Sequence, residues 1–357
     1  MQKKILRLNF GSFDKKWMLN YAYAHLRDNW SPAPWKKELI YFLIDWYSDK
    51  DTVEALTSGS TGAPKTIKLN KKFMENSAAA TIDFFKLNKN DKALLALPVK
   101  YIAAKMMIVR GITGKLDVYC IEPSLYPFSE LTPPLDFAAF TPAQFSKLLE
   151  TTEGKTFVKN IKKVLLGGAP IPRALENKIK SLETDVWHSY GMTETMSHIA
   201  LRKVNGNNAS DKFYPLQNVE ISVSEQNTLV ITAPHLGLYN MQTNDIVTIF
   251  PGHGFTVHGR KDNVINSGGV KLHPEEIERK IEPFLSKPFY VAPAPDTKFG
   301  EIPVLFIEDE EWSKTKTERL LQQIEKTLSR LEMPKSVFFK SKFRRTGNGK
   351  IIREKTD

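Results

Sequence analysis

The sequence predicts an α/β protein with a β subdomain and a second, smaller α/β unit towards its C-terminal end. Predicted strands and helices alternate between residues 66 and 200, which is typical of a partly parallel sheet covered by helices. From about residue 213 the pattern changes to short strands separated by Gly and Asn turns. A new unit begins near residue 261, so we expect two domains, at residues 1–260 and 261–357.

The first predicted elements lie on either side of a run of small residues, LTSGSTGAPKT, at 56–66. Residues 35–47, WKKELIYFLIDWY, are too short to cross a bilayer and are interrupted by acidic side chains, so they predict a buried or amphipathic helix. After the small residues, TIKLN at 66–70 alternates apolar and polar side chains and predicts a strand. Residues 71–86 predict a helix, with one side formed by Phe73, Ser77, Ala80 and Phe84.

The central part of the chain continues this alternation. The predicted elements are a strand at 93–99, a helix at 101–112, a strand and a helix at 136–150, the same pair at 162–182, and a strand followed by a loop at 185–201. Thr141 is the expected N-cap of one helix, with Pro142 at its first position. Because ligands of such sheets bind beyond the carboxyl ends of the strands, the loops after these strands are the expected site.

The β subdomain and the C-terminal unit complete the predicted order. The short strands of the subdomain are NVEISV, TLVITA, DIVTIF and FTVHGR. Beyond them, His273 and Pro274 followed by Glu275 and Glu276 predict the start of a helix, because proline and acidic side chains suit a helix N-terminus.

Composition limits the class of protein. The 357 residues are 41% hydrophobic and 25% charged, as in an ordinary globular protein. The single cysteine, Cys120, excludes an intrachain disulfide and a cysteine-based zinc site, and it indicates a reducing compartment. The first residues lack the apolar core of a signal peptide. We therefore expect a cytoplasmic protein without a membrane span.

The net charge of +11 predicts an anionic partner. Residues 334–357 contain eight Lys or Arg, and Phe338, Phe339 and Phe343 lie among them. Basic and aromatic residues together leave nucleic-acid binding as an alternative, while a solvated basic tail is the simpler interpretation. We expect small-molecule substrates and no nucleic acid; the sequence predicts no oligomeric state.

The first motif is a candidate phosphate loop. Small residues let backbone N–H groups approach an anion, and a lysine adds positive charge. The loop is not a Walker A motif, because Pro64, which has no N–H, lies where that pattern needs glycine. A surface turn rich in small residues is the alternative. The candidate residues are Thr57, Ser58, Gly59, Ser60, Thr61, Gly62 and Lys65.

The second motif, HSYGMTET at 188–195, joins a tyrosine ring, a glycine, two threonine hydroxyls and a carboxylate. Glu194 beside Thr193 suits Mg²⁺, which keeps phosphate oxygens among its ligands. Tyr190 suits contact with a nucleobase. The alternative is a capping turn before a helix.

Two further motifs suit other parts of a nucleotide. Asp245 and Arg260 offer an acceptor and a cation for ribose hydroxyls, with a surface ion pair as the alternative. Lys350, in a turn between glycines, could stabilise charge on an α-phosphate, with a solvated tail lysine as the alternative.

Taken in order, six segments resemble the adenylate-forming acyl-CoA synthetase family, which includes aryl-CoA ligases, luciferases and peptide-synthetase adenylation domains. The segments are TSGSTGAPK, LLGGAPIP, YGMTET, TND, GRKDNVINSGGVKLHPEEIE and NGKIIR. The resemblance implies a large N-terminal adenylate-forming domain with α/β layers and a small, mobile C-terminal α/β domain. It also implies that ATP, Mg²⁺ and coenzyme A are used. Only about 55 residues precede the first motif, which implies a shortened member.

The resemblance also implies a role for each motif residue. The segment from Thr57 to Lys65 would cover the β- and γ-phosphates, and Lys350 would bridge the attacking carboxylate and the α-phosphate. Thr193 would touch phosphate, and Glu194 would hold Mg²⁺. The adenine and ribose would contact Gly167, Gly168, Ala169, Ser189, Tyr190, Gly191, Asp245 and Arg260. The C-terminal domain would turn about the hinge residue Asp262, with a thiol channel at Gly268 and Gly269.

Within the family, the sequence is most similar to the o-succinylbenzoate-CoA ligases of menaquinone biosynthesis. LPVKYIAAKMMIVRG resembles their LP-x-x-H-x-x-G-x-x-x-x-x-R helix, with Tyr101 in place of His, Ala104 in place of Gly, and Arg110 matching. A dicarboxylate would need a cation for the carboxylate that does not react. The candidate acid-binding residues are Lys100, Tyr101, Lys105, Arg110, Ser197 and His198.

Other interpretations of the acid site and of the function stay open. Lys105 and Arg110 could simply extend from a packed helix, and His198 could have a packing role. The chain could be another aryl- or acyl-CoA synthetase, or an enzyme that loads a carrier protein. A non-catalytic nucleotide-binding or nucleic-acid-binding protein is the alternative from another class.

Overall fold

The structure is a computed structural model that describes residues 5–27, 33–57, 65–130, 132–345 and 351–354. Some of the predicted site residues lie outside these ranges. They are Ser58, Gly59, Ser60, Thr61, Gly62 and Lys350.

An eight-stranded sheet forms the centre of the N-terminal part. The strands of this part are β1 (Leu6–Asn9), β2 (Thr52–Leu56), β3 (Thr66–Asn70), β4 (Lys92–Leu95), β5 (Asp117–Cys120), β6 (Leu135–Phe140), β7 (Ile161–Leu166), β8 (Asp185–Gly191), β9 (His198–Lys203) and β10 (Tyr214–Pro215). The sheet order is β1-β5-β4-β6-β7-β8-β9-β10, and β2 pairs with β3 separately. Strands β5, β4, β6, β7 and β8 are parallel, and β1, β9 and β10 are antiparallel to their neighbours. The predicted partly parallel sheet is confirmed.

Helices cover both faces of this sheet. They are α1 (Lys15–Arg27), α2 (Pro34–Tyr47), α3 (Lys71–Phe85), α4 (Ile102–Gly114), α5 (Pro142–Leu148), α6 (Thr152–Lys159) and α7 (Arg173–Ile179). Successive side chains of a strand point to opposite faces, so Leu95 and Phe137 join one apolar core while Leu94 and Phe140 join the other. The first core contains side chains of α2, α3 and α4, and the second contains side chains of α5, α6 and α7.

Two local predictions have different outcomes. The Thr141 N-cap is confirmed: its Oγ1 accepts from Gln144 N at 3.2 Å, and Gln144 Oε1 accepts from Thr141 N at 3.1 Å. The side of α3 formed by Phe73, Ser77, Ala80 and Phe84 is not its buried face, because Phe84 is 38% exposed and Ser77 is the one buried residue of the four. The buried residues of α3 are Met74, Ser77, Ala78, Thr81 and Phe85. Phe73 and Phe84 lie eleven positions apart and therefore on the same edge of this stripe, so apolar spacing alone pointed to that edge rather than to the centre of the buried face.

The β subdomain is a four-stranded antiparallel sheet, as predicted. Its strands in order are β11 (Glu220–Val223), β12 (Thr228–Ala233), β13 (Leu238–Ile249) and β14 (Phe255–Arg260). Strand β13 begins well before the predicted DIVTIF segment, and its register with β14 pairs Asp245 with Arg260.

The C-terminal unit is an α/β arrangement with a core of its own. Its elements are β15 (Ile265–Ser267), β16 (Val270–Leu272), α8 (Pro274–Ile281), β17 (Phe289–Asp296), β18 (Gly300–Glu308), α9 (Lys314–Glu325) and β19 (Val337–Lys340). The sheet order is β16-β15-β18-β17, with β19 parallel to β18. Ile277, Val291, Leu305 and Ile324 belong to the core between sheet and helices. Across the described parts of the chain, no helix is long and apolar enough to cross a membrane.

Candidate active site

Thr57 and Lys65 are the two described residues that frame the predicted phosphate loop. Thr57 N donates to Lys65 O at 2.8 Å, and Lys65 N donates to Thr57 Oγ1 at 3.1 Å. Strand β2, which leads into the loop, also contacts the segment just before α4. Leu56 N donates to Lys100 O at 3.4 Å, and Leu56 forms an isolated parallel β-bridge with Tyr101. The ends of the loop therefore lie beside two residues of the predicted acid site.

The GGA segment follows β7 at the carboxyl edge of the parallel strands. Gly167 N donates to Phe140 O at 3.1 Å, and Ser189 Oγ donates to Leu166 O at 2.9 Å. A Cβ atom at Gly167 would lie 2.5 Å from Ser189 Oγ, so this close approach needs glycine. Gly168 has φ +85°, which glycine adopts freely. The segment predicted to border adenine therefore lies directly beside β8.

The YGMTET segment forms the turn between β8 and β9, a hairpin that the sequence did not reveal. A Cβ atom at Gly191 would lie 2.2 Å from Ser197 O, so the two strands meet too closely for a side chain. Thr195 is fully buried; its Oγ1 accepts from Met192 N at 3.0 Å and donates to Ser197 O at 2.6 Å. Thr195 shapes the turn, a role that its place among other hydroxyl residues did not indicate.

The residues predicted to hold Mg²⁺ lie at the centre of this turn. Thr193 is buried, whereas Glu194 is exposed and makes no hydrogen bond or ion pair to another described residue. Within the described ranges, no group of three or more His, Cys, Asp and Glu residues could hold a metal by itself. A single free carboxylate fits Mg²⁺, which is commonly bound by one or two carboxylates together with water and substrate phosphates.

Tyr190, Asp245 and Arg260 form one connected group. The Tyr190 hydroxyl donates to Asp245 Oδ2 at 2.6 Å, and Arg260 Nη1 lies 3.6 Å from Asp245 Oδ1. Burial, with a further contribution from Asp245, raises the pKa of Tyr190 well above its usual value. The phenol therefore stays protonated and keeps donating to the carboxylate. Arg260 Nε is buried without a described partner.

Asp262, the predicted hinge residue, is connected to the same group. Its Oδ2 accepts from Arg260 Nη2 at 3.0 Å and from Asn244 Nδ2 at 3.1 Å. Arg260 thus lies between Asp245 and Asp262, at the point where the chain leaves β14 for the C-terminal unit.

Gly268 and Gly269 form the two-residue turn between β15 and β16. Ser267 pairs with Val270 across the turn, and both glycines have positive φ, at +57° and +82°. A two-residue hairpin turn of type I′ requires this combination. Gly268 N also donates to Phe299 O at 2.8 Å, which fixes the turn against the loop before β18.

The chain on both sides of the predicted catalytic lysine is held by arginine–glutamate pairs. Arg345 Nη1 donates to Glu308 Oε1 at 2.6 Å, and Arg353 donates to both oxygens of Glu278, at 2.5 and 2.8 Å. Arg345 and Ile351 form an antiparallel bridge. The two ends of the segment that contains Lys350 are therefore anchored to β18 and α8.

Arg110 is a buried cation on α4, and its hydrogen-bond partners among the described residues are all neutral. Its side chain is 2% exposed; Nη2 donates to Ser197 Oγ at 2.8 Å and lies 3.4 Å from His198 Nδ1. Its Nε has no described partner. Burial lowers the pKa of Arg110 to about 9, so the guanidinium stays charged at neutral pH. Burial and Arg110 together lower the pKa of His198 well below its usual value, so the imidazole is neutral.

The other cations of the predicted acid site lie elsewhere. Lys105 Nζ lies 4.5 Å from the centroid of the Phe42 ring of α2, and burial lowers the pKa of this amine. Lys105 and Arg110 are five positions apart and so point in different directions from α4. Lys100 is exposed, with Nζ 5.3 Å from the centroid of the Tyr101 ring. The structure brings Arg110 together with Ser197 and His198, and not with Lys105.

Comparison with known proteins identifies the family. The family described as AMP-binding enzyme matches residues 54–235, just over half of the chain. The chain belongs to the family of AMP-binding enzymes. The match covers the predicted phosphate loop, the GGA segment and the YGMTET turn.

Individual relatives of this AMP-binding enzyme include both curated proteins and solved structures. An acyl-CoA synthetase (AMP-forming)/AMP-acid ligase II-like protein from Dyadobacter fermentans is 34% identical, with 98% of this chain and 97% of that chain covered and a TM-score of 0.65. The 2-succinylbenzoate–CoA ligase of Listeria monocytogenes serotype 4b is 27% identical over 94% of this chain and 74% of its own length. The o-succinylbenzoate CoA synthetase of Bacillus subtilis shares the fold, with 20% identity, a TM-score of 0.70, and 84% of this chain and 66% of that chain covered.

Proposed function

We propose that this AMP-binding enzyme is an AMP-forming acid–CoA ligase that converts o-succinylbenzoate to o-succinylbenzoyl-CoA, a step of menaquinone biosynthesis. A carboxylate of the acid attacks the α-phosphorus of ATP, and pyrophosphate leaves. The thiol of coenzyme A then attacks the acyl carbon of the acyl adenylate, and AMP leaves. Curated relatives with 24% to 28% identity that carry the name 2-succinylbenzoate–CoA ligase support this reaction.

The observation that carries the choice of acid is the buried guanidinium of Arg110. A buried charge without a partner costs several kcal/mol, and no carboxylate lies among the described contacts of Arg110. A dicarboxylate substrate would provide the missing anion through its second carboxylate, in a short, charge-assisted hydrogen bond. Ser197 and His198 complete this end of the proposed acid pocket.

The nucleotide would occupy the carboxyl edge of the sheet. We assign the ribose to Asp245 and Arg260, the adenine to Tyr190 and the GGA segment, and the phosphates to the loop between Thr57 and Lys65. When bound there, Mg²⁺ would be held by Glu194 beside Thr193 and would neutralise phosphate charge. These assignments rest on the order of the motifs and on the contacts between their described residues.

The two half-reactions would use different positions of the C-terminal domain. A carboxylate and an α-phosphate repel each other, so the attack needs a cation between them, and we assign Lys350 to it. Rotation about Asp262 would then withdraw Lys350 and bring Gly268 and Gly269 to the thiol channel. Because ATP and coenzyme A are cytoplasmic metabolites, a cytoplasmic location is part of this proposal.

The experiment is pyrophosphate release by the full chain with ATP, Mg²⁺ and a panel of acids, followed by detection of the CoA thioester by mass spectrometry. The panel contains o-succinylbenzoate, benzoate and a medium-chain fatty acid. Turnover with o-succinylbenzoate and formation of its thioester are expected. Strong turnover of benzoate or the fatty acid with none of o-succinylbenzoate would favour another acyl-CoA synthetase, and an adenylate that never passes to coenzyme A would favour an enzyme that loads a carrier protein.

A further inference from the structure

His188, a residue of β8 that none of the predicted roles includes, contacts the GGA segment. Its Nε2 lies 3.1 Å from the carbonyl oxygen of Ala169. Only a protonated nitrogen can donate to a carbonyl, so Nε2 carries the hydrogen. The neighbouring Ser189 donates to Leu166 O. Two successive residues of β8 therefore hold the two ends of the turn that contains Gly167 and Gly168.

Arg202 and Glu176 determine which nitrogen of His188 carries this hydrogen. Arg202 Nε donates to His188 Nδ1 at 3.1 Å, which makes Nδ1 the acceptor. The Arg202 guanidinium is held in turn by Glu176: Nη1 donates to Oε1 at 3.0 Å and Nη2 donates to Oε2 at 3.2 Å. Glu176 lies on α7, Arg202 on β9 and His188 on β8. The three side chains form a chain of hydrogen bonds from the surface helix to the carbonyl of Ala169.

This chain of hydrogen bonds is buried and uses the neutral form of the imidazole. His188 and Arg202 are each 7% exposed. Burial, and secondly the charge of Arg202, lower the pKa of His188 to about 3. The ring thus remains neutral at physiological pH, and the Nε2–H tautomer is the one that satisfies both neighbours.

We propose that His188, oriented by Arg202 and Glu176, is a positioning residue that sets the GGA segment for nucleobase binding and thereby determines affinity for ATP. The inference rests on the proposed ATP-dependent function. The Ala169 carbonyl is held towards His188 of β8. The turn at Gly168, where a Cβ atom would meet nothing within 4 Å, is left as an open surface for the base. His188 acts on the nucleotide only through this backbone.

Glutamine is the substitution that reproduces the two hydrogen bonds of the neutral imidazole. Its amide nitrogen donates and its amide oxygen accepts, whereas leucine has a similar size and does neither. Asn205 provides a matched control, since it is 3% exposed and its Nδ2 donates to Leu182 O and Thr184 O, both at 2.9 Å. Its Oδ1 also accepts from Val186 N at 3.0 Å, so Asn205 holds the start of β8, whereas the GGA segment lies at the opposite, carboxyl end of the parallel strands.

The experiment compares His188→Leu, His188→Gln and Asn205→Leu in the full chain. His188→Leu removes the hydrogen bond to Ala169 O and leaves that carbonyl without its donor, so KM for ATP should rise about tenfold. KM for the acid and kcat should stay within about twofold of the parent. His188→Gln should recover most of the ATP affinity. Asn205→Leu should lower the melting temperature without changing KM for ATP. An unchanged KM for ATP in His188→Leu, or an equal rise in the Asn205 control, would overturn the proposal.

A second variant and a direct measurement of ATP binding complete the test of His188. If His188→Leu does not fold, Glu176→Gln takes its place, because Glu176 is partly exposed. The neutral amide of the glutamine binds Arg202 more weakly than the carboxylate does. An unchanged KM for ATP in Glu176→Gln would overturn the proposal. ATP binding measured calorimetrically without acid separates the inference from the function. A parent that binds ATP but activates no acid contradicts the proposed function, while the ATP affinities of the variants still decide the role of His188.

Discussion

Tyr190 and Asp245 are joined by a hydrogen bond of 2.6 Å between the phenol oxygen and Asp245 Oδ2. Tyr190 belongs to the central sheet and Asp245 to the β subdomain, so the bond connects the proposed adenine site to the proposed ribose site. Because the carboxylate is already held by Tyr190 and Arg260, it is oriented before a ribose arrives. Preorganisation of this kind increases affinity by lowering the entropy cost of binding.

The first prediction concerns that bond. Tyr190→Phe keeps the ring but removes the donor to a charged acceptor, so KM for ATP should rise about tenfold with little change in KM for the acid. Steady-state pyrophosphate release measures both constants. Tyr126→Phe is the matched control, since it removes a 2.8 Å bond between the Tyr126 hydroxyl and Thr151 Oγ1 elsewhere. An unchanged KM for ATP in Tyr190→Phe would contradict the ribose assignment.

The second prediction concerns Glu194 and Mg²⁺. Glu194→Gln removes the free carboxylate of the YGMTET turn, so the Mg²⁺ concentration for half-maximal pyrophosphate release should rise about tenfold. Glu220, exposed on β11, provides the control variant Glu220→Gln. If both variants show the Mg²⁺ dependence of the parent, Glu194 does not hold the ion.

The third prediction concerns Lys350. Lys350→Ala should lower the rate of adenylate formation by a factor of about 10² to 10³, as expected for loss of a group that stabilises transition-state charge. ATP should still bind, and calorimetry with ATP checks this separately. Lys342→Ala, another basic residue of the C-terminal segment, should leave the rate unchanged. Undiminished exchange of pyrophosphate into ATP by Lys350→Ala would refute the assigned role.

The fourth prediction concerns the hinge. Asp262→Pro fixes φ at the residue about which the C-terminal domain is proposed to turn, so adenylation should persist while thioester formation falls. Because Asp262 also accepts from Arg260 and Asn244, Asp262→Ala is the control that removes these bonds and leaves φ free. Equal loss of both half-reactions in Asp262→Pro, or the same profile in Asp262→Ala, would argue against the hinge.

The sequence predicted the order of the strands and helices better than it predicted their buried faces and exact bounds. Alternating strands and helices indicated the parallel sheet, and Thr141 with Pro142 located a helix start, because these signals depend on neighbours along the chain. The predicted side of α3 did not match its buried stripe, because Phe73 and Phe84 lie together on one edge of that stripe. The extent of β13 was missed because its early residues, LYNMQTN, alternate weakly.

In the candidate site, too, short sequence motifs identified residues but not the contacts between them. Motif residues such as Asp245 and Arg260 could be named from short patterns, and their pairing needed the register of β13 and β14. The chain of hydrogen bonds from Glu176 to His188 joins three elements, so no local pattern indicated it. Grouping Lys105 with Arg110 followed from sequence proximity, whereas the helix turns the two cations apart.

The most direct test of the account is the specificity constant for o-succinylbenzoate in the parent and in Arg110→Met. Methionine fills similar space without charge, so loss of the pairing with the second carboxylate should lower kcat/KM for o-succinylbenzoate about 100-fold. Activity with benzoate, which has no second carboxylate, should not fall, and removing an unpaired buried charge should not lower the melting temperature. Equal kcat/KM for o-succinylbenzoate in the parent and Arg110→Met would contradict the central claim that Arg110 selects a dicarboxylate.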